Sequence, residues 1–446
     1  MIAQPLGAIL RTTKGKKPKQ LHDSPLPGLL PYIDISAVEN GTQRQWAHPS
    51  ESKIVSADSL VMVWDGARSG WVGITKFEGA LGSTLAALES PLNKRFLASF
   101  LREHFSDINA NHRGSGIPHV NPDYLKAIEV PVLSEHAQVA IADLADAAAD
   151  KARSVRLHLA AARRSTQRFR QAVLASACSG RLTADWRQNH DVSAELQEWL
   201  AQLQSERASI GHSHGKAPLP PHLAESLPEL PGSWKWVSAD EVCSTITKGT
   251  TPASHLMSQD AGEVPYLKVY NLTFTGLVDF SVRPTFVSQE THSGILRRSR
   301  AVPGDVLMNI VGPPLGKVAI VPASYPEWNI NQAIAIFRPL RSMRSDFIAL
   351  CLLSPLIVGA ATRRAKATAG QHNLTLEICR EVALPLTAPS EQAEILRRVK
   401  QLFDVADEAE RCVEAASKRV ERSSRAVLAK ALRGELSILD VEGAGG

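Results

Sequence analysis

Cysteine is scarce and scattered in this sequence. Five residues, at 178, 243, 351, 379 and 412, form no CxxC pair. That spacing offers neither a zinc ligand set nor a disulfide framework, and it fits a reducing compartment. Long apolar runs are missing too. The longest, "FIALCLLSPLIVGAA" at 347–361, is too short to cross a bilayer and contains Ser-Pro, so it reads as one buried helix. The opening "MIAQPLGAILRTTKGKK" lacks the apolar core and cleavage site of a signal peptide, and a cytoplasmic location is expected. No HExxH, Walker A loop or GxSxG occurs. Pro122-Asp123 would open a nuclease pattern, but Glu129 is followed by Val130 and Pro131 instead of the required lysine two residues on. His212 and His214 lie in a Pro-rich stretch and make no metal site by themselves. The chain therefore reads as a non-catalytic one.

What is present is an ordinary globular composition, 44% hydrophobic and 21% charged over 446 residues, enough for two or three domains. The net charge of +5 is compatible with an anionic partner. One tetrapeptide, Asn121-Pro122-Asp123-Tyr124, is a single letter from the Asn-Pro-Pro-Tyr signature of adenine amino-methyltransferases. Its meaning depends on a second feature, an internal repeat.

"TKGKKP" at 13–18 returns as "TKGTTP" at 247–252, and "PYI" at 31–33 as "PYL" at 265–267, both at an offset of 234. Met62, Gly66, Gly70, Val72 and Ile74 meet Met308, Gly312, Gly316, Val318 and Ile320 at 246. "SGIPHVNPDYLKAIEVPV" faces "AGQHNLTLEICREVALPL", and "AVLASACSGRL" faces "AVLAKALRGEL", at 254. Offsets that rise in order are those of a duplication whose second copy carries two insertions. Asn121 to Tyr124 then lies opposite Leu374-Thr375-Leu376-Glu377, where no such signature exists, and no Gly-rich cofactor loop precedes it. The tetrapeptide reads as a turn.

Each copy opens on short apolar runs broken by Gly, Pro, Asn and Asp. "SLVMVWDGARSGWVGIT" and "DVLMNIVGPPLGKVAIV" each predict two strands joined by a glycine-containing loop. Each copy closes on a proline-free helical stretch, the first capped by Ser134 and stopped at Gly180, the second starting at Ser390 and stopping at Gly434. About 44 residues make a rod of roughly 65 Å, which a small domain alone cannot stabilise, so the two helices are expected to pair. Small residues support a close approach: Ala148, Ala152, Ala161 and Ala162 in one, Ala406, Ala409, Ala415 and Ala416 in the other. Residues 151–181 carry eight Lys/Arg and no acid, against six acids in 405–435; helix pairing, phosphate contact and a solvated face all account for this.

The expected class is α+β: two similar globular domains, each followed by a long helix, the helices pairing as an antiparallel coiled coil. The boundaries are 1–133 and 134–187 for the first domain and its helix, 188–231 for a linker with a short amphipathic helix (Leu196, Trp199, Leu200, Leu203), 232–389 and 390–436 for the second pair, and a tail at 437–446.

This doubled arrangement, with "TKGxxP", "PY[IL]", the Gly-x-x-x-Gly pairs and helices ending in "AVLAxAxxGxL", resembles the specificity subunit of type I restriction–modification enzymes over 1–187 and 232–440. One departure is that "GSWKWVSADEVCSTITKG" at 232–249 has no full counterpart in the first copy. The resemblance implies two target recognition domains reading a bipartite site in double-stranded DNA. It implies helices that act as spacer and platform, with two methylation and two restriction subunits as partners. S-adenosylmethionine, ATP and Mg would bind those partners, and this chain would need no cofactor. Phosphate contacts call for basic groups on loops, which makes Lys14, Lys16, Lys17, Arg68, Lys248, Arg297, Arg298, Arg300, Lys317, Arg363, Arg364 and Lys366 candidates. His119, Gln371, His372 and Asn373 are candidates for base edges. A coiled-coil adaptor that grips proteins is the alternative.

Overall fold

The computed structural model describes residues 2–114, 116–210, 219–220, 227–259, 261–312, 314–369 and 373–432. His212, His214, Gln371, His372, Gly434 and the expected tail at 437–446 lie outside them. The chain divides into two compact units, Met1–Ala161 with Val413–Gly446, and Ala162–Cys412. The divide falls inside both long helices.

The first unit holds two four-stranded sheets. One is antiparallel, in the order Arg11–Lys14, Leu85–Glu89, Leu60–Val63, Val72–Ile74. The other runs Trp46–Ala47, Leu30–Ile33, Gly79–Leu81, Lys53–Val55, with Leu30–Ile33 parallel to Gly79–Leu81. All four residues of Leu60–Val63 are buried, so this strand reads as an unbroken apolar run. Helix Lys94–Glu103, capped by Asn93, lays Phe96, Leu97, Phe100 and Leu101 on the sheet and against Ile141 and Ala142 of the first long helix. Asn93 N–H donates to Gln138 at 2.8 Å, which fixes that docking.

The second unit repeats the plan. Its antiparallel sheet runs Cys243–Lys248, Ile334–Pro339, Val306–Asn309, Val318–Ile320. Its mixed sheet has one more strand, and again pairs two strands in parallel, Val264–Leu267 with Trp328–Ile330. Ala3–Pro5 pairs with Glu129–Pro131 just as Lys235–Ser238 pairs with Ala383–Leu386. The first copy thus has a counterpart of the opening strand of 232–249, without the tryptophan before it. Both repeated glycine pairs take left-handed φ, Gly66 at 110° and Gly70 at 93°, Gly312 at 83° and Gly316 at 93°. Only glycine adopts such angles at little cost, so this loop geometry explains why the spacing recurs.

The first long helix is Glu135–Cys178, and the hydroxyl of Ser134 accepts from Ala137 N–H at 3.3 Å. Gly180 at φ 72° follows its end. The second is Pro389–Leu432, also 44 residues. The start expected at Ser390 is therefore corrected by one residue. Pro389 serves as the first helical residue, where a missing N–H costs nothing. A further correction concerns 347–361, which is two helices, Ser345–Leu353 and Pro355–Ala369. They are broken at Ser354 because the residue before a proline avoids the helical region. Phe347 to Leu352 are buried in the unit's core. Among the described residues no single helix is long and apolar enough to cross a membrane.

Inside the second unit the long helices run antiparallel. Arg170 pairs with Asp407 and lies over the Phe403 ring at 4.9 Å, while Asp185, past the end of the first helix, reaches back to Arg398 at 2.6 Å. Lys151, Arg153, Arg156, Arg163, Arg164 and Arg168 stay exposed, as a solvated face and phosphate contact both require. Of the small residues, Ala152 and Ala406 are buried, whereas Ala161, Ala409 and Ala415 are exposed. The helix expected inside a linker is Ser193–Ser209, and it is docked instead: Leu196, Trp199 and Leu203 enter the second unit's core, and Trp199 Nε1 donates to the Ser342 carbonyl at 3.1 Å.

Candidate nucleic-acid interface

Antiparallel pairing brings the C-terminal ends of two strands and the N-terminal ends of two others to the same edge of each sheet. In the first unit that edge holds Lys14, the loop 64–71 and the segment around His119. Trp64 and Val120 tie the latter two together, Val120 N–H donating to the Trp64 carbonyl at 2.9 Å. Leu374 N–H does the same to the Ile310 carbonyl at 2.9 Å in the second unit, where Lys248 and the loop 310–317 occupy the matching places.

In the first unit the edge is a charged cluster. Asp65 accepts from Lys14 Nζ at 2.8 Å and sits 2.7 Å from His119 Nδ1. Burial raises the pKa of this carboxyl, and the hydrogen bonds from Lys14 and His119 outweigh that, so it lies below its ordinary value. Arg113, bridged through its backbone to His119, is paired with Asp123. Asn109 Nδ2 braces the loop by donating to the Ser69 carbonyl at 2.8 Å. Lys16 and Lys17 are exposed beside Lys14. Arg68 stands on the loop, held by Glu39 at 2.5 Å and stacked over Trp71.

The second unit uses the same scaffold with other side chains. Val311 stands where Asp65 stands, and Asn373, whose Oδ1 accepts from Gly312 N–H at 3.0 Å, where His119 stands. Buried Asn309 clamps the loop from both sides, accepting from Lys317 N–H at 2.8 Å and donating to the Pro314 carbonyl at 2.9 Å. Lys248 is exposed and Lys317 half-buried at this edge. Arg363 is exposed on helix Pro355–Ala369. Arg364 is drawn to Glu381, and of Lys366 only the backbone is described.

Three candidates lie elsewhere. Arg300 gives its carbonyl to Arg338, which is paired with Asp305 at the opposite edge of the sheet, so Arg297, Arg298 and Arg300 belong away from Lys248 and Lys317. Sequence reasoning missed Asp65, which only the repeated glycine beside it signals. It also missed Phe274, which lies in the second copy's insertion.

The tetrapeptide at 121–124 is a helix start. Asn121 Oδ1 accepts from Asp123 N–H at 3.2 Å, capping Pro122–Ala127, and the Thr375 hydroxyl accepts from Ile378 N–H at 3.2 Å to cap Leu376–Arg380. An Asn oxygen engaged in this way has a structural task, and the equivalence with Thr375 shows the same task in both copies.

Residues 5–151 match the type I restriction modification DNA specificity domain. The type I restriction enzyme EcoDI specificity subunit of Escherichia coli is 25% identical, over 97% of this chain and 88% of that one. The EcoBI specificity subunit of Escherichia coli is 27% identical, over 78% of this chain and 67% of that one. A chain from a solved type I restriction–modification system shares the fold with a TM-score of 0.65 at 18% identity, each chain covered to 98%. With the domain match on its first copy and relatives aligned along nearly its whole length, the chain is similar throughout to the specificity subunits of type I restriction–modification systems.

Proposed function

We propose that this chain reads a bipartite target in duplex DNA, one half-site with the sheet edge of each unit, and brings methylation and restriction subunits to it. The observation that carries this reading is one scaffold edge present twice with different chemistry. Lys14, Asp65 and His119 offer a cation, an acceptor and an imidazole; Lys248, Val311 and Asn373 offer a cation, an apolar contact and an amide. Lysines position a phosphate backbone, while a carboxylate or an amide discriminates base edges in the major groove. Two unlike edges suit two unlike half-sites.

The chain selects sequence and leaves chemistry to its partners. Two methylation subunits supply adenine methylation with S-adenosylmethionine, and two restriction subunits supply ATP- and Mg-dependent cleavage, all in the cytoplasm. Co-expression with a type I methylation subunit, followed by genome-wide mapping of N6-methyladenine, tests the reading. A single asymmetric two-part motif that vanishes on deletion of the chain is expected. A stable complex that leaves no motif and shows no salt-dependent DNA affinity overturns it in favour of a protein-binding adaptor.

A further inference from the structure

The two units differ between paired strands of the mixed sheet. The first folds the stretch after Leu30–Ile33 into the short helix Ile35–Asn40. The second, between Val264–Leu267 and Thr285–Val287, forms a tight hairpin from Leu272 to Val278. Its stem is anchored, with Leu272 buried and Val278 packed on the same core. Its tip is built around Thr273, whose hydroxyl donates to the Leu277 carbonyl at 2.8 Å and accepts from Leu277 N–H at 3.1 Å. The hairpin backs onto the neighbouring strand, Val318 N–H and Ile320 N–H donating to the Thr273 and Gly276 carbonyls, each at 3.0 Å.

This well-fixed tip presents apolar groups to solvent. Phe274 is 51% exposed and Leu277 66%. A single exposed apolar residue needs no explanation, but an aromatic and a leucine on a hydrogen-bonded tip beside a basic edge do. The Lys317 ammonium lies 5.9 Å from the Phe274 ring centre, and Lys317 is tied through Asn309 to the loop that meets Asn373. Phe274 therefore stands at the edge assigned to DNA, next to the Lys317 ammonium, which also donates to the Val269 carbonyl at 3.5 Å.

We propose that Phe274, backed by Leu277, is an apolar wedge that enters between two base pairs of the half-site read by the second unit and unstacks that step. This rests on the proposed DNA reading. Wedges of this kind use Phe or Leu inserted between base steps, and they favour steps that deform easily, so pyrimidine–purine steps are expected at the insertion point. The first unit has no equivalent tip among its described residues, and its half-site stays stacked.

The test uses the full chain in complex with its methylation subunit and duplexes carrying 2-aminopurine at successive positions of the target. Wild type should brighten the probe at one step in the second half-site. Phe274→Ala should abolish that signal and weaken specific binding about tenfold, the scale of losing one base–aromatic contact. Phe274→Trp should restore both, and a mismatch that pre-opens the step should restore binding of the alanine variant. Brightening that survives Phe274→Ala comes from base extrusion by the partner and overturns the wedge, as does specific binding with no brightening in that half-site. Absence of any specific binding overturns the DNA reading and the wedge together.

Discussion

A Cβ at Gly15 would fall closer than 3.0 Å to the carbonyl oxygens of Leu81 and Gly82, and one at Gly249 would do the same to those of Ile330 and Asn331. Both glycines also donate to the start of the adjoining strand, Gly15 N–H to Leu85 at 2.9 Å and Gly249 N–H to Ile334 at 3.0 Å. The glycine in "TKGxxP" is there because two backbones touch, and its lysine neighbours take their place at the sheet edge as a result. Gly15→Ala and Gly249→Ala should each cost about 1–3 kcal/mol, the usual penalty of overpacking, as read from urea midpoints. Unchanged midpoints would remove the steric account of the motif. Asp65 allows a pH test. Its folded pKa is depressed, so its contribution is complete above the ordinary carboxylate range and is lost as pH falls through the folded value. The stability gap between wild type and Asp65→Asn should be largest near neutral pH and close on acidification. The same variant should lose methylation directed by the first half-site while retaining contacts to the second. A gap that widens in acid would show that Lys14 and His119 do not stabilise the ionised form.

At the scale of elements, the start of the second long helix is held by a buried charge. Glu391 is fully buried and accepts from Arg187 at 2.5 Å, Thr183 at 2.6 Å, Thr387 at 2.5 Å and Trp234 Nε1 at 2.8 Å. One side chain thus joins the segment after the first long helix, the strand-leading Trp234 and the second helix. Glu391→Gln leaves Arg187 without its counter-charge in a buried site and should destabilise the second unit by about 3–5 kcal/mol. Chemical denaturation checks it, and a loss within about 1 kcal/mol would mean that water or another group replaces the carboxylate. This node was invisible in the sequence because its members are 208 residues apart, Thr183 to Glu391. The first copy has Ala137 at the matching helical position. Elements set by local chemistry were legible: the glycine-looped strand pairs, the Ser134 cap, the two long helices. Those set by tertiary contacts were not. The docking of Ser193–Ser209 depends on Trp199 finding the Ser342 carbonyl, and the break at Ser354 was hidden inside an apolar run. Candidate site residues were half legible for the same reason. Lysines beside a repeated glycine could be read, whereas the separation of Arg297, Arg298 and Arg300 from Lys248 stems from strand order, and Asp65 from a cross-loop contact.

At the scale of the molecule, the decisive fact is that both 44-residue helices leave one compact unit and continue into the other. Both divisions between the units fall within helix, at 161–162 and again at 412–413. A helix lengthens by 1.5 Å per residue, so seven residues, close to two turns, add about 10 Å while nearly preserving the rotational phase of the helix beyond the insertion. Inserting seven helix-forming residues at both crossings should therefore shift the tolerated gap between half-sites by about three base pairs, given one base pair per 3.4 Å along each strand. The half-sites themselves should not change, because the sheet-edge loops that would read them are untouched. A methylation assay on duplexes carrying every gap length between fixed half-sites measures this directly. Insertion at one crossing alone supplies the control: it makes the two helices unequal in length and should abolish methylation at all gaps. A doubly extended chain that keeps the original gap would show that the helices do not measure the distance between half-sites, and the spacing would then have to be sought in the partner subunits.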